Sequence, residues 1–375
     1  LPDYVRCVNV SLPFDDNTVR GVVFGMILSA LLLMGLERGA HWYEANQMAD
    51  PSVPESFGSP HPYLLWELPP GETVVNEQRV AVNSVGARGT EIAQPKPQNL
   101  RRILFLGDQT TFGQGVSLNR TFAYDAVESL GGSRVGLEPL MMAVPDYTAT
   151  QHLNLMDLRG WSLEPDLVII GGPSIEMSVQ TYRDEDVIAM VKQHEGPRAM
   201  LQQYALFRVL DRIANLHRNE RAARRTAVFG TGANLNPNGE PRLGTNAYAA
   251  TLDRLVVDAL DRDTPIVFVM TPVSSDMTGT ELTDSLQLYR DAMRSVAQRH
   301  GVPVVDGPSI FQNSRRQTGQ LFLNQTLLTE QGHRVLGYSL AKVIKPWMRG
   351  RSVLRPGTGE PLPTLPEPEN EPSAL

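Results

Sequence analysis

The sequence predicts a doubly wound, three-layer α/β/α domain with a parallel sheet, preceded by one N-terminal transmembrane helix. Three observations carry that expectation. Short apolar runs recur from residue 100 onward, at "RILFLG" (102–107), "PLMMAV" (139–144), "DLVIIG" (166–171), "PIVFVM" (265–270) and "VPVVDG" (302–307). Helical patterns separate them, around 122–130, 148–161, 199–216, 247–260 and 282–300. Continuous apolar strands alternating with amphipathic helices read as a parallel sheet covered on both faces. The third observation is "GVVFGMILSALLLMGL" (21–36), sixteen residues without a charge.

That stretch covers about 24 Å as a helix, short of a hydrocarbon core of about 30 Å. Ala40, Trp42 and Tyr43 extend its apolar character, the aromatics being of the interfacial type, and Arg38 can snorkel. The span is therefore expected over 21–43. A cleavable signal peptide would end in a small-x-small site, which "GLERGAHWYE" does not offer. A buried core helix is the other alternative, disfavoured by the aromatic belt and the proline-rich stretch that follow. Arg6 and Arg20 before the span, against Arg38 after it, favour a cytoplasmic N-terminal segment (1–20) and a periplasmic main domain. The expected location is the bacterial inner membrane, with the lipid bilayer as one partner.

Residues 44–99 are expected to form an extended connector with short strands. Prolines at 51, 54, 60, 62, 69 and 70 fix φ and remove donors, and "QRVAVNSVGARG" (78–89) alternates like an exposed strand. The α/β domain is expected over 100–350. The tail (351–375) ends in "RPGTGEPLPTLPEPENEPSAL", whose six prolines and four glutamates leave nothing with which to bury a core.

Composition narrows the function classes. A net charge of -7 argues against a nucleic-acid partner, and the basic run "HRNERAARR" (217–225) reads as a solvated helix end. In "LQQYALFRVLDRIANL", Leu201, Tyr204, Ala205, Leu210 and Ile213 recur at helical spacing, a packing pattern. Cys7 is the sole cysteine, and His41, His61, His152, His194, His217, His300 and His333 show no ligand spacing. No metal and no cofactor is expected.

In an open parallel sheet, ligands collect at the carboxyl ends of the strands, so the corner after the first strand is where function is sought. There "FLGDQTTFGQGV" resembles the first signature block of the SGNH, or GDSL-type, hydrolases, which read Gly-Asp-Ser. "VNSVGARGTEIAQPKPQNLRRILFLGD" is similar to the lead-in of membrane-anchored bacterial members. "AVPDYTATQHLNL", "PDLVIIGGPSIE" and "LLTEQGHRVLGYSLAKVI" resemble the later blocks, so the likeness covers 75–345. It implies a flavodoxin-like SGNH fold.

Carried over position by position, the resemblance implies a hydrolase frame without its chemistry. The serine nucleophile falls on Gln109, the oxyanion glycine on Ala143 and the block's later glycine on Asp146. The oxyanion asparagine falls on Ile175, the catalytic acid on Asn324 and the base on Leu327. His333 belongs to the following helix. Acyl transfer needs a nucleophile, a base and oxyanion donors, and none of these side chains supplies them. Relocated chemistry would have to draw on Thr110, Thr111 or Ser174, with His152 or His333 as base. Asp108 has a structural role available in closing the strand-to-helix corner. Asp108, Gln109, Thr110 and Asn324 are the candidate lining of a polar pocket, and side-chain packing there is the alternative.

The expected function is thus a catalytically inactive accessory or structural subunit of a bacterial membrane complex. Its expected partners are membrane-embedded proteins met through the transmembrane helix, connector and tail. Photosynthetic reaction-centre and light-harvesting assemblies are the first hosts to consider, then exopolysaccharide export and acetylation machines. The alternatives are an exported esterase or O-acetyltransferase with rearranged residues, and a glycan-binding module.

Overall fold

The computed structural model describes residues 16–47 and 59–348, except 62, 76–77, 174, 181, 185, 187–205, 208, 211–235, 237 and 279–283. The chain forms two units, one of residues 1–50 with 195–225, the other of 51–194 with 226–375.

The first unit holds α1 (Asp16–Gln47), 32 residues or about 48 Å of helix. Its segment Arg20–Ala40 is long and apolar enough to cross a membrane. Val22, Phe24, Met26, Leu28, Leu32 and Leu33 are all exposed along it. The helix runs beyond the expected 21–43 at both ends, because no proline between Pro13 and Pro51 interrupts its hydrogen-bond ladder. Within this unit Glu37 accepts a hydrogen bond from the Leu206 backbone at 2.8 Å. Most of the helix expected at 199–216 lies outside the described residues, as do the basic run 217–225 and the tail 351–375.

The second unit is built on a five-stranded parallel sheet. Its strands are β5 (Arg101–Leu106), β6 (Leu137–Met141), β7 (Leu167–Gly172), β8 (Ile266–Met270) and β9 (Val304–Asp306). They lie in the order β6-β5-β7-β8-β9, with Leu104 paired to Leu140 and Val168, and Ile170 to Phe268. This is the flavodoxin-like order, second strand outside the first, and it puts the switch point between β5 and β7. Every residue of β7 and β8 is buried, which accounts for their unbroken apolar sequences. The edge strand β6 is displaced toward the N-terminus from the expected 139–144. Glu138, half-buried, is accommodated in it because its carboxylate pairs with buried Arg102 at 2.6 Å, and Pro139 is tolerated on an edge.

Two helical layers cover the sheet. One pairs α3 (Phe122–Ser129) with α10 (Glu330–Met348). The other joins α4 (Ala149–Leu155), α5 (Thr245–Leu260) and α7 (Asp284–His300). Gly337 lets α10 approach α3, since a Cβ there would stand 2.7 Å from the Phe122 carbonyl oxygen. One turn earlier, His333 Nδ1 accepts from the Phe122 backbone N–H at 3.2 Å and its ring stacks on Phe122. Burial, helped by nearby Arg88, pushes the His333 imidazole down to about 3, so it stays the neutral acceptor that the α3 N-terminus needs.

The stretch expected as a connector contributes to the core. β1 (Ser59–His61) and β2 (Leu65–Glu67) form an antiparallel pair, and β3 (Gly71–Val75) with β4 (Gln78–Val82) a hairpin. Leu64, Leu65, Trp66 and Leu68 are buried, because the apolar run "YLLWEL" outweighs the prolines around it. Trp66 meets Tyr147 edge to face at 5.6 Å, and the Tyr147 hydroxyl donates to the Trp66 carbonyl. Gln151 and Asn154 of α4 donate to the Leu64 and Tyr63 carbonyls at 2.6 and 2.8 Å. The core therefore begins well before residue 100. Removing the indole with Trp66→Ala should cost about 3–5 kcal/mol, read as a lower denaturant midpoint of the detergent-solubilised protein.

Candidate functional site at the strand carboxyl ends

β5 ends at Leu106 and passes through Gly107 into Asp108, the N-cap of a four-residue helix, α2 (Gln109–Phe112). Asp108 Oδ1 accepts from the Thr110 and Thr111 backbone N–H groups at 3.0 and 3.4 Å, satisfying donors that a helix start leaves open. At the other end Gly113 takes φ 78°, and Arg88 collects the open carbonyls. Its guanidinium donates to Phe112 at 2.6 Å, Gly113 at 3.0 Å and Val116 at 2.8 Å, and lies over the Phe112 ring. Burial lowers the Arg88 pKa to about 10, which leaves it charged at neutral pH.

The corner packs against β7 through Thr111. A Cβ at Gly107 or Gly171 would run into the Thr111 side chain. Thr110 faces the opposite partner, its hydroxyl donating to the Thr326 carbonyl at 3.2 Å. That bond sets the Gln109 corner beside the 324–327 loop. The loop is also braced from within: Asn324 Oδ1 accepts from Thr326 and Leu327 N–H at 2.9 and 2.7 Å, and Leu323 N–H donates to the Leu327 carbonyl at 2.8 Å.

The residues singled out from sequence are distributed as follows. Asp108 is buried, and Gln109 half-buried with its Oε1 enclosed and without a hydrogen-bond partner. Ala143 is buried just after β6, where the N–H groups of Met142 and Val144 extend the ladder to Phe105 and Gly107. Ile175 and Leu327 are half-buried, and Asn324 is exposed with its carbonyl oxygen occupied. Thr110 has spent its hydroxyl on the loop, and Ser174 lies outside the described residues. His152 reaches the Gly107 backbone, and burial pushes its pKa down to about 4. His333 serves the α3 terminus.

Sequence reasoning missed two groups at this edge. Glu176, four residues beyond β7, is 4% exposed, and Tyr248 on α5 is 1% exposed. The Tyr248 hydroxyl is buried without a hydrogen-bond partner and lies 3.7 Å from where a Gly172 Cβ would stand. Neither belongs to a spacing pattern; the only signal was an acid close behind an apolar strand. Glu176 acts on Asp108, whose carboxyl is pushed up to about 7 by burial first, then by Glu176 and Asp146, against the two N–H bonds that stabilise its anion.

A buried ion pair holds this edge together. Arg242 Nε and one terminal nitrogen meet Asp184 Oδ1 and Oδ2 at 3.0 and 2.9 Å. The same guanidinium donates to the Asp146 carbonyl at 2.7 Å and to Gln151 Oε1 at 3.0 Å, and Thr148 donates to Asp184 at 2.7 Å. Asp146 itself takes φ 64°. Among the described residues no group of three His, Cys, Asp or Glu side chains could hold a metal ion. The arrangement offers amide, hydroxyl and carboxyl groups in an enclosed edge.

Because Thr111 fills the space over β7, Gly171→Ala should destabilise the protein by about 1–3 kcal/mol. Thermal unfolding should show a smaller loss from the same change in a Thr111→Ala background.

No protein-family model matches the sequence, and no curated protein matches it. Solved structures resemble it in fold at low identity. The lipase/acylhydrolase from Enterococcus faecalis is 12% identical, with 69% of this chain and all 100% of that one covered, at a TM-score of 0.43. LAE5, an alpha/beta hydrolase enzyme from the metagenome of Lake Arreo, is 15% identical over 64% of this chain and 94% of that one, at 0.42. A catalytic mutant of Axe2, an acetylxylan esterase from Geobacillus stearothermophilus, is 13% identical over 68% and 96%, at 0.43.

Proposed function

We propose that this chain is a catalytically inactive SGNH-like accessory subunit of a bacterial membrane complex. In this reading α1 anchors it in the inner membrane with its N-terminus cytoplasmic and its α/β domain periplasmic. The observation that supports the reading most is the juxtaposition made by the Thr110–Thr326 bond. The two positions that the sequence resemblance assigns to nucleophile and base stand on neighbouring segments, and they carry the carboxamide of Gln109 and the isobutyl group of Leu327. A carboxamide forms no acyl-enzyme, and an isobutyl group takes no proton. Asn324, at the position of the acid, uses its oxygen to brace its own loop. The nearest histidine to the corner, His152, is buried and neutral.

An α1 whose apolar side chains are exposed from Val22 to Leu36 supports the anchor. Membrane-embedded subunits are the partners this reading calls for, and photosynthetic reaction-centre and light-harvesting assemblies are the first host to examine.

Two measurements test the proposal. Purified protein should hydrolyse p-nitrophenyl acetate no faster than buffer, and Gln109→Ser alone should not raise the rate, because Leu327 leaves the new hydroxyl without a base. Turnover that disappears in Thr110→Ala or Ser174→Ala would convert the assignment to an esterase or acetyltransferase. Purification of the tagged chain in a mild detergent should recover it with stable membrane subunits, pigment-bearing ones if the host is photosynthetic. A lone monomer under all such conditions would sink the accessory role.

A further inference from the structure

Before β5, the chain runs beside the outer edge of β6. Arg88 N–H donates to the Met141 carbonyl at 2.9 Å in an antiparallel bridge. The next hydrogen-bonded pair of such a ladder would join Thr90 to Pro139. Pro139 has no N–H to give, and the Thr90 carbonyl that would have received it accepts from Asn83 Nδ2 at 3.0 Å instead. The ladder stops there, and a cavity of about 260 Å³ opens between residues 89–92 and the strand. Leu100 and residues 136–140 line it, which places it toward the amino ends of β5 and β6, away from the carboxyl-end site.

The charged groups at this cavity cancel. Arg88 gives both terminal nitrogens to the Phe112, Gly113 and Val116 carbonyls. Glu91 takes the Ser84 N–H and hydroxyl on its two oxygens at 2.8 and 2.6 Å, and Glu138 binds Arg102 through Oε2. Two cations against two anions leave no net attraction for an ion of either sign. The open groups are mostly uncharged. Among the described residues, the hydroxyls of Tyr124, Thr90 and Ser133 have no hydrogen-bond partner, and neither does the second oxygen of Glu138. The Tyr124 hydroxyl lies 3.5 Å from where a Gly89 Cβ would stand, so glycine there keeps it uncovered. Ile92, Leu100 and Leu140 supply an apolar wall.

We propose that this cavity binds a neutral cyclic polyol the size of one sugar residue, free or at the end of a glycan. Its volume falls just below the roughly 300–1,000 Å³ of pockets for drug-sized ligands, which suits one ring and not a chain. A phenol and two alcohols each donate and accept, and the carboxylate oxygen accepts, a set that matches adjacent ring hydroxyls. The C–H faces of the ring meet the leucine and isoleucine wall. An anionic ligand would be opposed by the open oxygen of Glu138, and a cationic one by Arg88.

Saturation-transfer NMR on the full chain, in a detergent without a sugar headgroup, tests the site with methyl glucoside, methyl galactoside, methyl mannoside and myo-inositol. At least one should bind saturably, with a dissociation constant on the order of 1 mM for a ligand of this size. Tyr124→Phe should weaken that binding about tenfold, and adding Thr90→Val should remove it from the measurable range. Neither side chain holds a hydrogen bond within the described residues, so both variants should unfold at the wild-type temperature. A tetrasaccharide of the bound sugar that binds as tightly as the methyl glycoside assigns the end of a glycan as the ligand, and one that fails to bind assigns the free sugar. Absence of saturable binding by all four probes, unchanged affinity in the double variant, or tighter binding of glucuronate or glucosamine than of the neutral rings would overturn the proposal.

Discussion

Arg242 and Asp184 are both almost fully enclosed, and the shape of the strand carboxyl edge depends on their meeting. Neither side chain could remain there alone, since an unpaired buried charge costs several kcal/mol. Their pairing is reinforced by hydrogen bonds to Thr148, Gln151 and the Asp146 carbonyl, and by the Trp66 and Tyr182 rings on which the guanidinium lies at 5.4 and 5.6 Å. Four stretches of chain far apart in sequence thereby share one anchor. The turn after β6 can hold its left-handed residue, and the segment after β7 can return to the sheet edge, because the same guanidinium fixes both.

The sheet was largely legible from the sequence, and the reason is physical. Strands buried on both faces are apolar almost throughout, so β5 beyond its two leading arginines, β7 and β8 announce themselves within a residue or two of their ends. The edge strand was harder, since an edge tolerates a proline and a paired glutamate. The helix expected over 148–161 ends at Leu155 and continues as a wider turn through Gly160, where a Cβ would strike the Met156 side chain. Local periodicity carries no sign of that collision. Burial of Trp66 was likewise hidden, because its partners Tyr147 and Arg242 are distant in sequence.

The candidate site divides in the same way. Gln109, Asn324 and Leu327 could be picked out because each sits in one of the contiguous stretches on which the sequence resemblance rests. Glu176 and Tyr248 could not, because each reaches the edge from its own segment and only the folded chain sets them around Asp108. The corner has a role in folding. Thr111 wedges it onto β7, Arg88 ties its carbonyls, and Thr110 fastens the 324–327 loop. None of these contacts involves the side chain of Gln109, so packing and hydrogen bonds from its neighbours hold the corner.

The length of α1 has a mechanical side. A helix of about 48 Å placed across a hydrocarbon layer of about 30 Å would leave some 18 Å, or about a dozen residues, outside it, divided between its two ends. A flexible linker would dissipate motion within the bilayer, but a rod transmits it. Tilting the embedded part by 20°, an ordinary angle for such helices, would swing Gln47, nine residues or about 14 Å beyond Arg38, through roughly 5 Å. The charged residues near the end of the apolar stretch, Glu37 and Arg38, would then sit at the fulcrum of a lever.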